Sequence, residues 1–235
     1  MLVEYRESSI ENREMINEQL TEIYQLLFDR FGPQNWWPGQ SRFEIITGAI
    51  LTQNTNWSNV EKAIANLKSA DLLTPDKLRD LDISELAQLI RPAGYYNIKA
   101  KRLKSFLTWL FTNYAGRLEN LQTLDTEKFR QELLAVKGIG RETADSILLY
   151  AFDREIFVVD AYTARIAFRH RLIEPDADYE QLQQLFQSNL PADTKLFNEF
   201  HALLVRLGKE SCRPNAHCAG CPLQKLPHSL ETEYF

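Results

Sequence analysis

The chain has 235 residues and a mass of 27.3 kDa, room for two small domains or for one domain with an extension. Its 44% hydrophobic and 25% charged residues are ordinary globular values that exclude global disorder. A net charge of −5 excludes a protein basic over its whole surface, although not one with a single positive docking face. The longest apolar stretch, Ile147 to Phe152, falls far short of the ~20 residues of a membrane span, and the segment from Met1 to Arg6 has no apolar leader core. A soluble, cytoplasmic, monomeric protein without membrane contact is expected.

Hydrophobic periodicity is helical along nearly the whole chain. Ile16, Leu20, Ile23, Leu26 and Leu27 step by three or four, as a buried helical stripe does. The same spacing predicts helices over 10–31, 41–52, 57–68, 84–90, 97–114, 126–134, 141–152, 160–171, 178–189 and 193–208, with Pro75, Pro92, Pro175 and Pro191 at their starts or in the turns between them. Only Phe157-Val158-Val159 reads as extended, and it is too short for a sheet, so the expected fold class is all-α. From Arg91 to Arg117 the chain carries Arg91, Lys99, Lys101, Arg102, Lys104 and Arg117 and no acid. This run is either a solvated helix face or part of a nucleic-acid surface. His170 and His201 read as packing or surface residues.

The strongest local signal is Val136-Lys137-Gly138-Ile139-Gly140-Arg141-Glu142-Thr143-Ala144-Asp145. Two glycines around one apolar residue, between a helix end and a helix start, make a tight turn whose bare backbone can approach another backbone closely. Amides at the following helix start, with Lys137 and Arg141 beside them, suit a phosphate oxygen and ignore base sequence. An ordinary hairpin between two helices is the alternative. Beyond it, Ile156-Phe157-Val158-Val159-Asp160 places one carboxylate after an apolar run.

Gly138-Ile139-Gly140, a helix, and then Val159-Asp160 resemble the helix-hairpin-helix DNA glycosylases of the endonuclease III superfamily, over roughly residues 30–221. Further motifs resemble its 3-methyladenine glycosylase branch: Trp36-Trp37-Pro38, Phe43-Glu44, Gly48-Ala49, Leu51-Thr52-Gln53-Asn54-Thr55, Arg91-Pro92, Gly94-Tyr95-Tyr96-Asn97 and Lys99-Ala100-Lys101-Arg102-Leu103. The resemblance implies a six-helix barrel domain over about 34–154 and a second helical domain built from 1–33 and 155–235, with the site in the cleft between them. It implies double-stranded DNA with damaged bases as partner, held by Lys137, Gly138, Ile139, Gly140 and Arg141. Gln53 would fill the gap left by a flipped base, and Tyr95 would wedge into the opposite strand.

Asp160 is the implied catalytic acid, stabilising the cationic sugar and orienting or deprotonating water. Bifunctional members carry a lysine where this chain has Glu142. An amine there can attack the sugar and form a Schiff base, whereas a carboxylate cannot, so base removal without efficient strand cleavage is expected. Glu142 itself either lines the pocket or binds that water, or sits on a helix surface. The branch holds the extruded base between aromatic rings, for which Trp36 or Trp37, with Trp57, stand in matching positions. An alkylated purine is cationic and would gain ~0.5–2 kcal/mol per ring from such faces. Uracil, mismatched or oxidised bases are the alternative substrates, and a non-catalytic DNA-binding module is the alternative class.

Three cysteines, Cys212, Cys218 and Cys221, cannot pair evenly into disulfides and read as a metal site or its remnant. The superfamily's iron-sulfur loop has four cysteines. Here the fourth position is Pro227, followed by His228. Three readings compete: a 4Fe-4S cluster with His228 or another group as fourth ligand, a zinc site of three cysteines and a histidine, or a loop that folds without metal.

Overall fold

The computed structural model describes the backbone of residues 2–229 and the side chains of residues 14–229. Eleven α-helices run through it: α1 Leu2–Phe31, α2 Arg42–Leu51, α3 Trp57–Ser69, α4 Pro75–Asp80, α5 Ile83–Leu89, α6 Tyr96–Tyr114, α7 Thr126–Ala135, α8 Arg141–Ser146, α9 Ala161–Arg169, α10 Tyr179–Asn189 and α11 Thr194–Glu210. Among the described residues there is no strand, and the fold is the all-α one expected. No described helix is long and apolar enough to cross a membrane. Sequence periodicity misses α4, which is only six residues long and buries one side chain, Leu78. Its start is nonetheless written locally: the Thr74 hydroxyl accepts from the Lys77 amide, and Pro75 occupies the first turn, where its missing N–H costs nothing. The single helix expected over 141–152 is instead α8 followed by a π turn at Ile147–Ala151.

Contacts divide the chain into two units, one made of the chain up to Trp36 together with the chain from Glu155 on, the other running from Trp37 to Arg154. The terminal unit packs α1, α9, α10 and α11 around an aromatic core. Phe157 and Phe186 stack with centroids 4.1 Å apart, and Phe197 and Phe200 meet Phe157 edge-on. The expected extended segment is here, and two glutamines of α10 take the place of a partner strand. The Phe157 amide donates to Gln187 Oε1 at 2.8 Å, and Gln183 Nε2 donates to the Phe157 carbonyl at 2.7 Å. A lone extended segment is thereby buried with its polar groups satisfied.

The second unit holds α2 to α8. Its core includes Leu103, Phe106, Leu110, Phe129, Leu133, Ile147 and Phe152. Two charged groups are built into it. Lys99 is 1% exposed, and its Nζ donates to the carbonyls of Leu51 at 2.8 Å and Ala93 at 2.7 Å, closing the end of α2. Burial, with the charge of Arg102 adding to it, pushes this amine down to about 8. Arg130 on α7 grips the fully buried Asp145 of α8 with two bonds, Nε to Oδ1 at 2.6 Å and Nη2 to Oδ2 at 3.0 Å. This two-point pairing fixes the angle between the helices on either side of the glycine turn.

Removing one member of such a pair strands the other in the core. Arg130→Ala is expected to lower the unfolding free energy by about 3 kcal/mol in urea denaturation. A loss under about 1 kcal/mol, the range of exposed pairs, would show that the pair does not hold the hairpin.

Candidate active site

The hairpin lies within the unit of residues 37–154. Gly138 has φ +93°, and a Cβ there would stand 2.4 Å from Arg102 Cγ, so both the conformation and the space demand glycine. The Ile139 amide closes the turn on the Val136 carbonyl at 3.0 Å. Ile139 is buried while Lys137, Gly138, Gly140 and Arg141 are exposed, so the turn is plugged into the core by one side chain and presents its backbone outward. No side chain caps the start of α8 at Gly140. Gln53, from the loop after α2, is drawn to this turn. Its Nε2 donates to the Gly138 carbonyl at 3.1 Å and to Thr143 Oγ1 at 2.8 Å, and Arg102 donates to its Oε1.

The basic run from Arg91 to Arg117 is therefore not one open surface. Lys99 and Arg102 are engaged as above, and Lys104 Nζ caps the end of α4 through the carbonyls of Leu78, Arg79 and Leu81. Sequence reasoning could not separate these lysines from exposed ones, because their acceptors are backbone carbonyls distant in the chain. Tyr95 stands out in the opposite sense. It is 68% exposed and holds a left-handed φ of 45°, an uncommon conformation for a bulky residue.

Trp37, Trp57 and Tyr150 form an aromatic cluster in the same unit. The two indoles meet edge to face, centroids 4.7 Å apart at 77°, and Tyr150 stacks on Trp37 at 5.0 Å and 27°. Gly48 of α2 lies beneath them, its Cβ position 3.2 Å from Trp37 Nε1 and 3.4 Å from Trp57 Cη2. Trp57 Nε1 donates to Glu61 at 2.9 Å, which sets the angle of that ring. Two plates holding a base between them need roughly 7 Å, two van der Waals contacts of about 3.5 Å each. The expected sandwich is thus not open in this structure, since the rings touch one another. Trp36 belongs by its contacts to the terminal unit, with Lys209 Nζ 5.9 Å over its ring. Tyr150 escapes sequence reasoning because it lies inside the apolar run Ile147 to Phe152, and it sits in the π turn, an element common at functional sites. Glu142 is exposed in the first turn of α8.

In the terminal unit Asp160 is the N-cap of α9. Its Oδ1 accepts from the Thr163 amide at 2.8 Å and from Thr163 Oγ1 at 2.9 Å. Its Oδ2 faces His201 Nε2 of α11 at 3.6 Å, an ion-pair distance longer than a hydrogen bond. Burial pushes the carboxyl up, but His201 and the Thr163 bonds outweigh it and hold Asp160 below the usual carboxylate range. His201, read from sequence as a packing or surface residue, is buried against this acid.

The cysteine loop, open to three readings, is closed by contacts of its own. Arg169, itself buried, donates to Cys212 Sγ at 3.3 Å and to the carbonyls of Arg213 at 2.6 Å and Pro214 at 2.7 Å. His228 Nδ1 pairs with the Leu226 carbonyl at 2.8 Å, its ring 5.7 Å from that of His170. Burial pushes the Cys221 thiol up and the His170 imidazole down to about 4. Among the described residues no three His, Cys, Asp or Glu side chains gather to hold a metal ion. The cavity among them measures about 20 Å³, room for about one water. The described donors thus make no complete metal site: a guanidinium lies against the first thiol, and the chain has three cysteines where an iron-sulfur loop has four.

These features have counterparts in known proteins. The HhH-GPD superfamily model, of base excision DNA repair proteins, matches residues 47–192. A putative DNA repair glycosylase of Methanocaldococcus jannaschii is 50% identical over 210 residues, 89% of this chain and 96% of that one. Endonuclease III of Thermotoga maritima is 28% identical over 183 residues, covering 77% and 80%. Among solved structures, the 3-methyladenine DNA glycosylase of H. pylori bound to 1,N6-ethenoadenine matches with a TM-score of 0.69 at 32% identity, over 84% of this chain and 97% of that one. An endonuclease III in a non-covalent DNA complex shares the fold, with a TM-score of 0.76 at 22% identity over 90% and 94%. The matched span holds both the glycine hairpin and Asp160, and the chain belongs to the HhH-GPD superfamily of base excision DNA repair proteins.

Proposed function

We propose that the chain is a monofunctional DNA glycosylase that removes alkylated purines from double-stranded DNA, working as a soluble cytoplasmic monomer. The observation that carries this reading is the pairing of an ionised, helix-capping Asp160 with a carboxylate, Glu142, where the bifunctional members of the superfamily have their lysine. The hairpin of Lys137, Gly138, Ile139, Gly140 and Arg141 grips a phosphate through backbone amides, without reading sequence. Tyr95 wedges into the opposite strand, and Gln53 gives up its bonds to Gly138 and Thr143 to fill the vacated place. The base is received by Trp57 swinging away from the edge of Trp37, which leaves indole faces for a cationic purine. The relative from H. pylori, whose structure holds a modified adenine, supports a purine lesion over a pyrimidine.

Hydrolysis then needs little help with the leaving group. The glycosidic bond breaks with its electron pair leaving on the base, which departs neutral. The oxygen of water bonds to C1′, and its proton passes to Asp160 Oδ2, the oxygen not engaged by Thr163. A carboxylate in a poorly solvated site also stabilises the positive sugar more strongly than it would in water. The C-terminal loop takes no part in these steps and folds around Arg169 in place of a metal.

On a panel of duplex oligonucleotides, 3-methyladenine is expected to be released faster than uracil or 8-oxoguanine; preferential release of either of the latter overturns the substrate. Asp160→Asn should lose at least about 100-fold in turnover while duplex affinity holds, and an active Asn variant would remove Asp160 from the chemistry. Borohydride should trap no covalent adduct with abasic DNA, and efficient trapping would show that another amine attacks the sugar. Freshly purified protein is expected to contain no stoichiometric iron or zinc and no visible iron-sulfur absorbance; four irons per chain would show that the loop rearranges around a cluster.

A further inference from the structure

Phe197, His201, Leu204 and Gly208 recur on α11 at steps of four, three and four, which puts them on one helical face. That helix packs on α9. At Gly208 a Cβ would stand 2.3 Å from the Tyr162 ring, so the bare glycine allows the two helices to come close. Two turns earlier on the same face, His201 is 5% exposed and brings Nε2 to 3.6 Å from Asp160 Oδ2. A lone pair on Nε2 would face the lone pairs of a carboxylate, so the ring proton belongs on that nitrogen. Thr163 occupies Oδ1 with two hydrogen bonds, which leaves Oδ2 as the oxygen that His201 governs.

We propose that His201 is a positioning residue, whose Nε2–H keeps Asp160 Oδ2 ionised and aimed so that it can take the proton of the attacking water. This rests on reading Asp160 as the acid that supports hydrolysis. The neighbouring cations are engaged elsewhere. Arg165 on α9 donates to the carbonyls of Cys212 at 2.7 Å and Gly208 at 3.4 Å, and Arg169 is committed to the cysteine loop. Among the described residues His201 is the titratable group whose charge lowers the Asp160 carboxyl. Without it burial prevails and the carboxyl rises. Because a protonated Asp160 cannot accept a proton, the acid limb of the rate profile then moves to higher pH.

The test measures single-turnover release from a 3-methyladenine duplex against pH, with duplex affinity in parallel, for His201→Leu, His201→Gln and Asp160→Asn. His201→Leu is expected to slow release about 10–100-fold near neutrality, to move the acid limb up by about one pH unit or more, and to leave affinity unchanged. His201→Gln, which keeps an N–H donor, should return the limb towards its original position. An unmoved limb in the Leu variant, or a Gln variant as shifted as Leu, overturns the role of His201. Full activity in Asp160→Asn instead overturns the reading of the acid itself, a separate result. Should the Leu variant not fold, or no base be released, NMR of the unmodified protein decides. The His201 ring signals should move as the Asp160 carboxyl takes up its proton, and ring signals unmoved through that step overturn the proposal.

Discussion

A carboxylate that starts a helix and, in the function proposed above, also serves a reaction is under two constraints at once, and Asp160 meets them by dividing its oxygens. One is fixed by the first turn of α9 through Thr163, where the helix dipole also favours a negative charge. The other faces the imidazole that α11 delivers. The cap holds the side chain in one orientation, so the proposed role of Oδ2 needs no conformational search. The segment leading into it is equally constrained, because Gln183 and Gln187 hold Phe157 from both its backbone groups. Phe157 in turn stacks on Phe186 in the core of the terminal unit.

The other unit solves a different problem, that of presenting backbone. A glycine turn is pliable, and a phosphate grip needs it to be rigid. Its rigidity comes from three directions: Ile139 plugged into the core, the Arg130–Asp145 pair joining the flanking helices, and Gln53 bridging from the loop after α2. The aromatic cluster is set on α2 in the same way, with Gly48 allowing two indoles to lie almost on the helix backbone.

Much of the helical framework was legible in the sequence because amphipathic period and capping residues are local signals. Ser41, Asp82, Asp125, Asp160, Asp178 and Asp193 each accept a bond from their own first helical turn. What was not legible depends on partners distant in the chain. Lys99 and Lys104 read as exposed charge, yet each is folded onto carbonyls. Tyr150 was hidden in an apolar run and His201 among core residues, since a core position and a place beside a buried ring or acid leave the same pattern of apolar neighbours. The cysteine loop was open to three readings because spacing counts sulfurs but does not reveal a guanidinium coming from α9.

On the metal-free reading proposed above, the arginine in that loop changes what the protein depends on. A metal-held loop can be stripped by chelators, fails where iron is scarce, and breaks down when oxidants attack its inorganic core. A guanidinium held by two carbonyls and a thiol needs no maturation machinery and does not change its oxidation state. Under that reading the C-terminal loop has no inorganic core for an oxidant to attack.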